Sequence, residues 1–278
     1  MAKLSDTSPE VERLMADAYR RMPPEQKWAN LLRDFRFARA IHAAGMRHRH
    51  PGISLQDIQA DWIQQVWGSP SPIPIPEQLM EPSQQDFQPA LDKVVDVFES
   101  LDIGYAIGGS IASSFHGYNR MTNDADITAE PFPTKIKDFV AAFPKEEYFL
   151  ALEAVELAIR TRSTFNILHP TTGYKIDVFI RKDDEFEQSA FTRRESFRLP
   201  VLPNRLVRLH SPEDIILFKL RWYVLGGQVS DRQWNDIQGV MKTQSERLDL
   251  AYLHKWADEL GVGDLLVRAL AEAGLTPF

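Results

Sequence analysis

A glycine turn followed at a short distance by two acids constrains this chain more than any other feature of its sequence. The apolar residues 103–107 predict a buried strand, which Gly108 and Gly109 end. Residues 110–116 then predict a helix of one or two turns, stopped by Gly117. A strand, a glycine turn and a short helix therefore follow one another here.

The start of this predicted helix suits phosphate. Backbone N–H groups at a helix N-terminus have no partner within the helix, and the helix dipole places positive charge beside them. Gly108 and Gly109 open the helix, and Ser110 adds a hydroxyl at the same place. The turn therefore predicts a binding site for the phosphates of a nucleotide.

Asp124 and Asp126 form the only Asp-x-Asp of the chain and follow the turn closely. Side chains two residues apart in a strand point to the same face, so both carboxylates should share a face. Close carboxylates repel unless a cation neutralises them, and Mg²⁺ prefers hard oxygen ligands. A third acid, Asp177, lies in the β-rich run 174–180, which we expect beside the first strand. The three acids predict a two-metal site that activates a hydroxyl and stabilises departing pyrophosphate.

The pattern as a whole resembles the nucleotidyltransferase fold of the DNA polymerase β superfamily, and within it the type IV abortive-infection toxin branch. That branch has a Gly-Gly pair, a short helix, a Gly and then Arg-x-Thr-x-Asp-x-Asp. The matching residues are Gly108, Gly109, Ser110, Gly117, Arg120, Thr122, Asp124 and Asp126. The resemblance covers roughly residues 86–240. It implies an α/β fold with a mixed sheet flanked by helices, an NTP as substrate, and Mg²⁺ or Mn²⁺ as cofactor.

The resemblance also assigns roles to individual residues. It implies that Asp124, Asp126 and Asp177 bind the metal ions and act in catalysis. It implies that the nucleotide is bound by Gly108, Gly109, Ser110, Arg120 and Thr122. The branch further has a helix with a Lys near the site, followed by a helix with an Asp. Residues 211–222 and 230–237 fit these helices, which implies that Lys219 contacts the triphosphate and Asp236 supports the site.

Two alternatives remain open for these residues. In the first, Lys219 is exposed and Asp236 forms a salt bridge between two helices. Neither residue would then have a catalytic role. The five arginines between residues 193 and 208 face a single acid, Glu195. They either guide a triphosphate or an RNA backbone or form a solvated strand face, and the second interpretation is favoured.

The implied reaction is attack by an acceptor hydroxyl on the α-phosphate of an NTP, with release of pyrophosphate. The acceptor is the 3′ end of an RNA such as tRNA, a hydroxyl of a partner protein in a toxin–antitoxin pair, or a small molecule such as an aminoglycoside. A CCA-adding role is disfavoured, because residues 111–114 read Ile-Ala-Ser-Ser where that branch has Arg-Arg-Asp. The alternative of another class is a catalytically inactive scaffold that binds a partner protein.

Composition and the positions of the prolines predict the domain organisation. The prolines of residues 69–83 predict a semi-rigid linker between an N-terminal helical module at 1–68 and a nucleotidyltransferase core at 84–210. Residues 211–278 predict a C-terminal helical subdomain.

The 278-residue chain has no Cys, no apolar run of membrane-spanning length and no signal peptide, so we expect a cytoplasmic protein without a membrane partner. Its net charge of −7 argues against strong non-specific DNA binding.

Overall fold

The computed structural model describes residues 9–67, 89–118, 122, 124–199, 202 and 205–275. Its centre is a six-stranded sheet with the strand order β3-β4-β2-β1-β6-β5. The strands are β1 (Tyr105–Ile107), β2 (Asp124–Ala129), β3 (Thr164–His169), β4 (Tyr174–Ile180), β5 (Glu195–Arg198) and β6 (Leu206–Leu209). β2 and β4 run parallel, as do β1 and β6, and the other neighbouring pairs are antiparallel. The sheet is therefore mixed, as predicted.

Helices flank this sheet before, between and after its strands, which confirms the predicted α/β class. They are α1 (Pro9–Arg21), α2 (Pro24–Arg49), α3 (Leu55–Trp67), α4 (Pro89–Ser100), α5 (Gly109–His116), α6 (Ile136–Ala141), α7 (Leu152–Thr161), α8 (Glu185–Thr192), α9 (Pro212–Leu225), α10 (Asp231–Thr243), α11 (Leu250–Glu259) and α12 (Gly263–Glu272). The linker predicted at 69–83 and Arg120 lie outside the described residues. No helix in the described part of the chain has the length and apolar character that a membrane span requires.

The alternating side chains of β2 place one of its faces in the core and the other toward the candidate site. Ala125, Ile127 and Ala129 are buried, whereas Asp124 and Asp126 are only half-buried. Apolar side chains on one face of a strand gain free energy by leaving water, and ionised carboxylates lose it unless they find partners. The period-two pattern of the sequence therefore fixes which face of β2 packs and which carries charge.

Local capping defines the start of α9. Ser211 is the N-cap, and its Oγ accepts a hydrogen bond from the Asp214 backbone N–H at 3.2 Å. Pro212 occupies the first turn, where its missing N–H costs nothing. The sequence predicted this helix start, and the structure confirms it.

The C-terminal half of α2 packs against the same core as the sheet. Phe37, Ala40, Ile41 and Ala44 belong to one buried cluster with residues of β1, β2 and β4. At the end of α2, the Arg49 guanidinium donates a hydrogen bond to the backbone oxygen of Phe115 in α5 at 2.5 Å. These contacts join the N-terminal helices to the region of the glycine turn, and the division at residues 68–84 remains a prediction.

Candidate active site

The glycine turn lies directly against Asp126. The Gly108 backbone N–H donates a hydrogen bond to the backbone oxygen of Asp126 at 2.8 Å, and α5 begins at the next residue. Gly109 has a φ of +49°, a conformation that favours glycine. A Cβ added at Gly109 would overlap the Asp126 carboxylate. Only glycine lets the start of α5 and the carboxylate come this close.

The three predicted acids lie on one face of two adjacent strands. β2 and β4 are parallel, and in their register Asp126 pairs with Asp177 while Asp124 pairs with Lys175. Directly paired residues share a face, as do residues two positions apart in one strand. The structure therefore places Asp124, Asp126 and Asp177 on the same face of two neighbouring strands, the face where α5 begins.

Asp177 is fully buried, and partners on neighbouring positions hold both of its carboxylate oxygens. Asn166 of β3, its register partner, donates a hydrogen bond from Nδ2 to Oδ1 at 2.6 Å. Lys175 forms an ion pair with Oδ2 through its Nζ atom. The Lys175 side chain is itself only 7% exposed. An ionised carboxylate is stable in such a place because a cation and an amide compensate for the lost water.

Sequence reasoning did not assign a role to Lys175 or Asn166. The period-two spacing of Lys175 and Asp177 was a usable signal, because it puts the ammonium and the carboxylate on the same strand face. Asn166 had no such signal, since only the antiparallel register of β3 and β4 brings it beside Asp177.

The carboxylates of Asp124 and Asp126 are the oxygen donors that could hold a divalent cation. Both side chains are half-buried, and carboxylates are the ligands that Mg²⁺ and Mn²⁺ prefer. The Thr122 hydroxyl donates a hydrogen bond to Asp124 Oδ1 and so holds that carboxylate in one orientation. Among the residues that the structure describes, no group of three or more His, Asp or Glu side chains is arranged to hold a metal ion. The arrangement offers two carboxylates, and metal binding by all three acids remains a prediction.

Lys219 and Asp236 form a buried ion pair between α9 and α10. Lys219 Nζ lies 2.7 Å from Asp236 Oδ2 and 3.2 Å from Gln233 Oε1. Ile215, one turn before Lys219 on the same helix face, would lie 4.0 Å from a Cβ on Gly108. The Lys219 face of α9 is therefore turned toward the glycine turn. The observed pairing matches the salt bridge weighed as an alternative for Asp236, but the exposed Lys219 of that alternative is wrong, because the side chain is buried. A contact between Lys219 and triphosphate remains a prediction.

Two buried histidines, His116 and His210, are hydrogen-bonded near the glycine turn. His116 Nε2 donates a hydrogen bond to the backbone oxygen of His210 at 2.9 Å. His210 Nε2 lies 3.0 Å from the Thr128 hydroxyl, and its ring would contact a Cβ on Gly108 at 3.4 Å. Burial lowers the pKa of His116 to about 3 and that of His210 to about 4, so both rings are neutral at pH 7. Sequence reasoning missed them, because an isolated histidine carries no positional signal.

Two of the five clustered arginines have acidic partners. Arg193 pairs with Glu213 at 2.8 Å and lies near Asp214. Arg205 contacts three acids of α4, which are Asp92, Asp96 and Glu99. These ion pairs compensate the charge of two of the five arginines. Both lie outside β5 and β6, so the solvated strand face remains a prediction for the others.

The similarity of this chain to known proteins is found among solved structures. No protein-family model matches the sequence, and no curated protein is significantly similar to it. Among solved structures, the chain is similar to an antigenic nucleotidyltransferase-like protein from Paracoccidioides brasiliensis, with 20% sequence identity and a TM-score of 0.43. The similarity covers 66% of this chain and 90% of that protein. At this TM-score the similarity carries no argument about the site.

Proposed function

We propose that the protein is a metal-dependent nucleotidyltransferase that moves an NMP from an NTP to an acceptor hydroxyl. One observation carries the proposal: the helix-opening glycine turn is in direct contact with Asp126, which shares a strand face and register with Asp177. A phosphate-binding element and a carboxylate cluster are thereby joined at one place. Nucleotidyl transfer needs both, because the triphosphate must be held while a hydroxyl attacks it.

The chain's residues have distinct parts in the proposed reaction. The N–H groups of Gly109 and Ser110, at the positive end of α5, bind the β- and γ-phosphates. Asp124 and Asp126 would hold Mg²⁺ or Mn²⁺. When bound, the cation supplies neutralisation of the phosphate charge. Arg120, Thr122 and Lys219 complete the nucleotide site in this proposal, and Asp236 holds Lys219.

The bonds and charges of the reaction balance as follows. The acceptor oxygen forms a bond to the α-phosphorus, and the bond from that phosphorus to the bridging oxygen of the β-phosphate breaks. Pyrophosphate leaves with the electron pair of that bond. In this proposal Asp177 is on the nucleophile side, and the hydroxyl proton passes to a carboxylate of the cluster and then to water.

The identity of the acceptor that receives the NMP is a separate part of the proposal. RNA, in particular a tRNA 3′ end, and a protein hydroxyl in a toxin–antitoxin pair are the two acceptors that the sequence resemblance supports. Incubation with each labelled NTP, Mg²⁺ and either total RNA or cell lysate separates them by where the label appears. Label in RNA supports the first acceptor, label in a protein band supports the second, and no label in either argues against transfer to both.

Asp126→Asn tests the catalytic part of the proposal. The substitution keeps the size of the side chain and removes one negative charge from the cluster, so we expect label transfer to fall at least 100-fold. Repulsion within the cation-free cluster also falls, so stability should hold or rise. Asp138→Asn on the exposed part of α6 is the matched control and should keep full transfer. Equal activity of the two variants would contradict the proposed site.

A scaffold without catalysis is the second candidate. It is favoured by the ion pairs Lys175–Asp177 and Lys219–Asp236, because these give two of the acids structural partners. Ser110→Ala separates the two functions, since a scaffold has no need for nucleotide. Calorimetric titration with a non-hydrolysable NTP analogue should show binding by the unsubstituted protein and weaker binding by Ser110→Ala. Absence of binding by both proteins would favour the scaffold.

A further inference from the structure

Lys175 places a fixed positive charge inside the carboxylate cluster. It is the register partner of Asp124 and lies two residues before Asp177, so all three side chains belong to the same strand face. Its ammonium is bonded to Asp177 Oδ2, and Asn166 occupies the other oxygen at 2.6 Å. A buried ammonium and a buried carboxylate hold each other strongly, because neither can return to water without moving the strand.

The cation at Lys175 changes the charge balance of the cluster. The three carboxylates together carry a formal charge of −3, and the ammonium brings the sum to −2. One divalent cation at Asp124 and Asp126 neutralises that charge. A second divalent cation between Asp126 and Asp177 would lie beside the ammonium, and like charges in a poorly solvated site repel strongly.

We infer that the Lys175 ammonium occupies the position at Asp177 that a second metal ion would need, so the protein binds one divalent cation. This inference rests on the proposed function and changes the two-metal site that the sequence alone predicts. Lys175 is then a positioning residue that orients Asp177 through their ion pair. Asn166 orients the same carboxylate through its other oxygen.

The number of bound Mn²⁺ ions tests this inference without any measurement of activity. Mn²⁺ binding is counted by electron paramagnetic resonance and by calorimetry, in the presence of an α,β-methylene NTP analogue that cannot be cleaved. The unsubstituted protein should bind one Mn²⁺ per chain. Lys175→Met removes the ammonium from beside Asp177, so this variant should bind two, with spin–spin broadening of the resonance signal.

Two further variants isolate the charge from the shape of the side chain. Lys175→Arg keeps a cation beside Asp177 and should still bind one Mn²⁺. Lys175→Met combined with Asp177→Asn removes both charges and should return the count from two to one. Lys137→Met, at an exposed position of α6, is the control for loss of a lysine and should bind one. Circular dichroism and melting curves check that each variant is folded.

Each outcome has a definite meaning. Two Mn²⁺ ions on the unsubstituted protein would overturn the inference and leave the proposed function intact, and this measurement stands even where a variant fails to fold. One Mn²⁺ on both the unsubstituted protein and folded Lys175→Met would also overturn it. No Mn²⁺ on the unsubstituted protein would refute the proposed metal-dependent function itself, and with it the inference.

Discussion

Gly109→Ala tests the contact on which the candidate active site depends. Gly109 has a φ of +49°, where an L-residue costs roughly 1–2 kcal/mol. The new Cβ would also overlap the Asp126 carboxylate and lie 2.7 Å from Asp126 Cβ. Relieving such an overlap in a packed region costs about 1–3 kcal/mol. The free energy of unfolding should therefore fall by about 2–5 kcal/mol, and nucleotide binding should be lost with the displaced turn.

Gly173→Ala separates the two contributions. Gly173 also has a positive φ, +68°, but a Cβ there would have no atom within 4 Å. This control should lose only the backbone part, about 1–2 kcal/mol. Urea unfolding followed by tryptophan fluorescence and far-UV circular dichroism measures both variants, and equal m-values justify comparing their midpoints. Equal losses for the two variants would refute the steric contact with Asp126.

A double-mutant cycle with Asp126→Ala assigns the steric part to its partner. This background removes the carboxylate that Gly109→Ala would overlap but keeps the Cβ at 2.7 Å. Relief should therefore be partial, and Gly109→Ala should cost at least about 0.5 kcal/mol less in this background. An unchanged cost would mean that the carboxylate is not the obstacle.

Three further perturbations test other parts of the structure. Lys219→Met should destabilise the protein by about 3–5 kcal/mol in urea unfolding, because it leaves Asp236 buried without its cation. The double variant Lys219→Met, Asp236→Leu should regain stability. If it does not also regain NTP affinity, Lys219 contacts the nucleotide as well. Because burial depresses the folded-state pKa of His116 and His210, the stability that these two histidines contribute should be full above pH 6.5 and fall below it, by roughly 2 kcal/mol per histidine at pH 5. Melting curves across pH should show a smaller fall for His116→Asn. Gly45→Ala would place a Cβ against the Phe115 backbone oxygen. If α2 and α5 share one core, this overlap should lower the melting temperature of the whole chain. If the N-terminal helices form a separable module, the melting temperature of the nucleotidyltransferase core should not change.

Local patterns made much of the fold predictable. The period-two alternation of β2 fixes which side chains face the core, because successive residues in a strand point to opposite faces. Ser211 and Pro212 mark the start of α9 by hydrogen bonding and fixed φ, which act within a few residues. The glycine pair marks the strand-to-helix turn for the same reason. These properties belong to short segments, so the sequence alone determines them.

The composition of the site was decided by tertiary structure. The pairing of Asp126 with Asp177 joins residues 51 positions apart, and Asn166 reaches Asp177 only through the register of a third strand. Strand register depends on how all the faces pack at once, and no local preference encodes it. The sequence therefore supplied the three acids and the glycine turn. Packing decided that the face of β4 with Lys175 and Asp177 lies beside Asp124 and Asp126, so that a buried ammonium neighbours the acids.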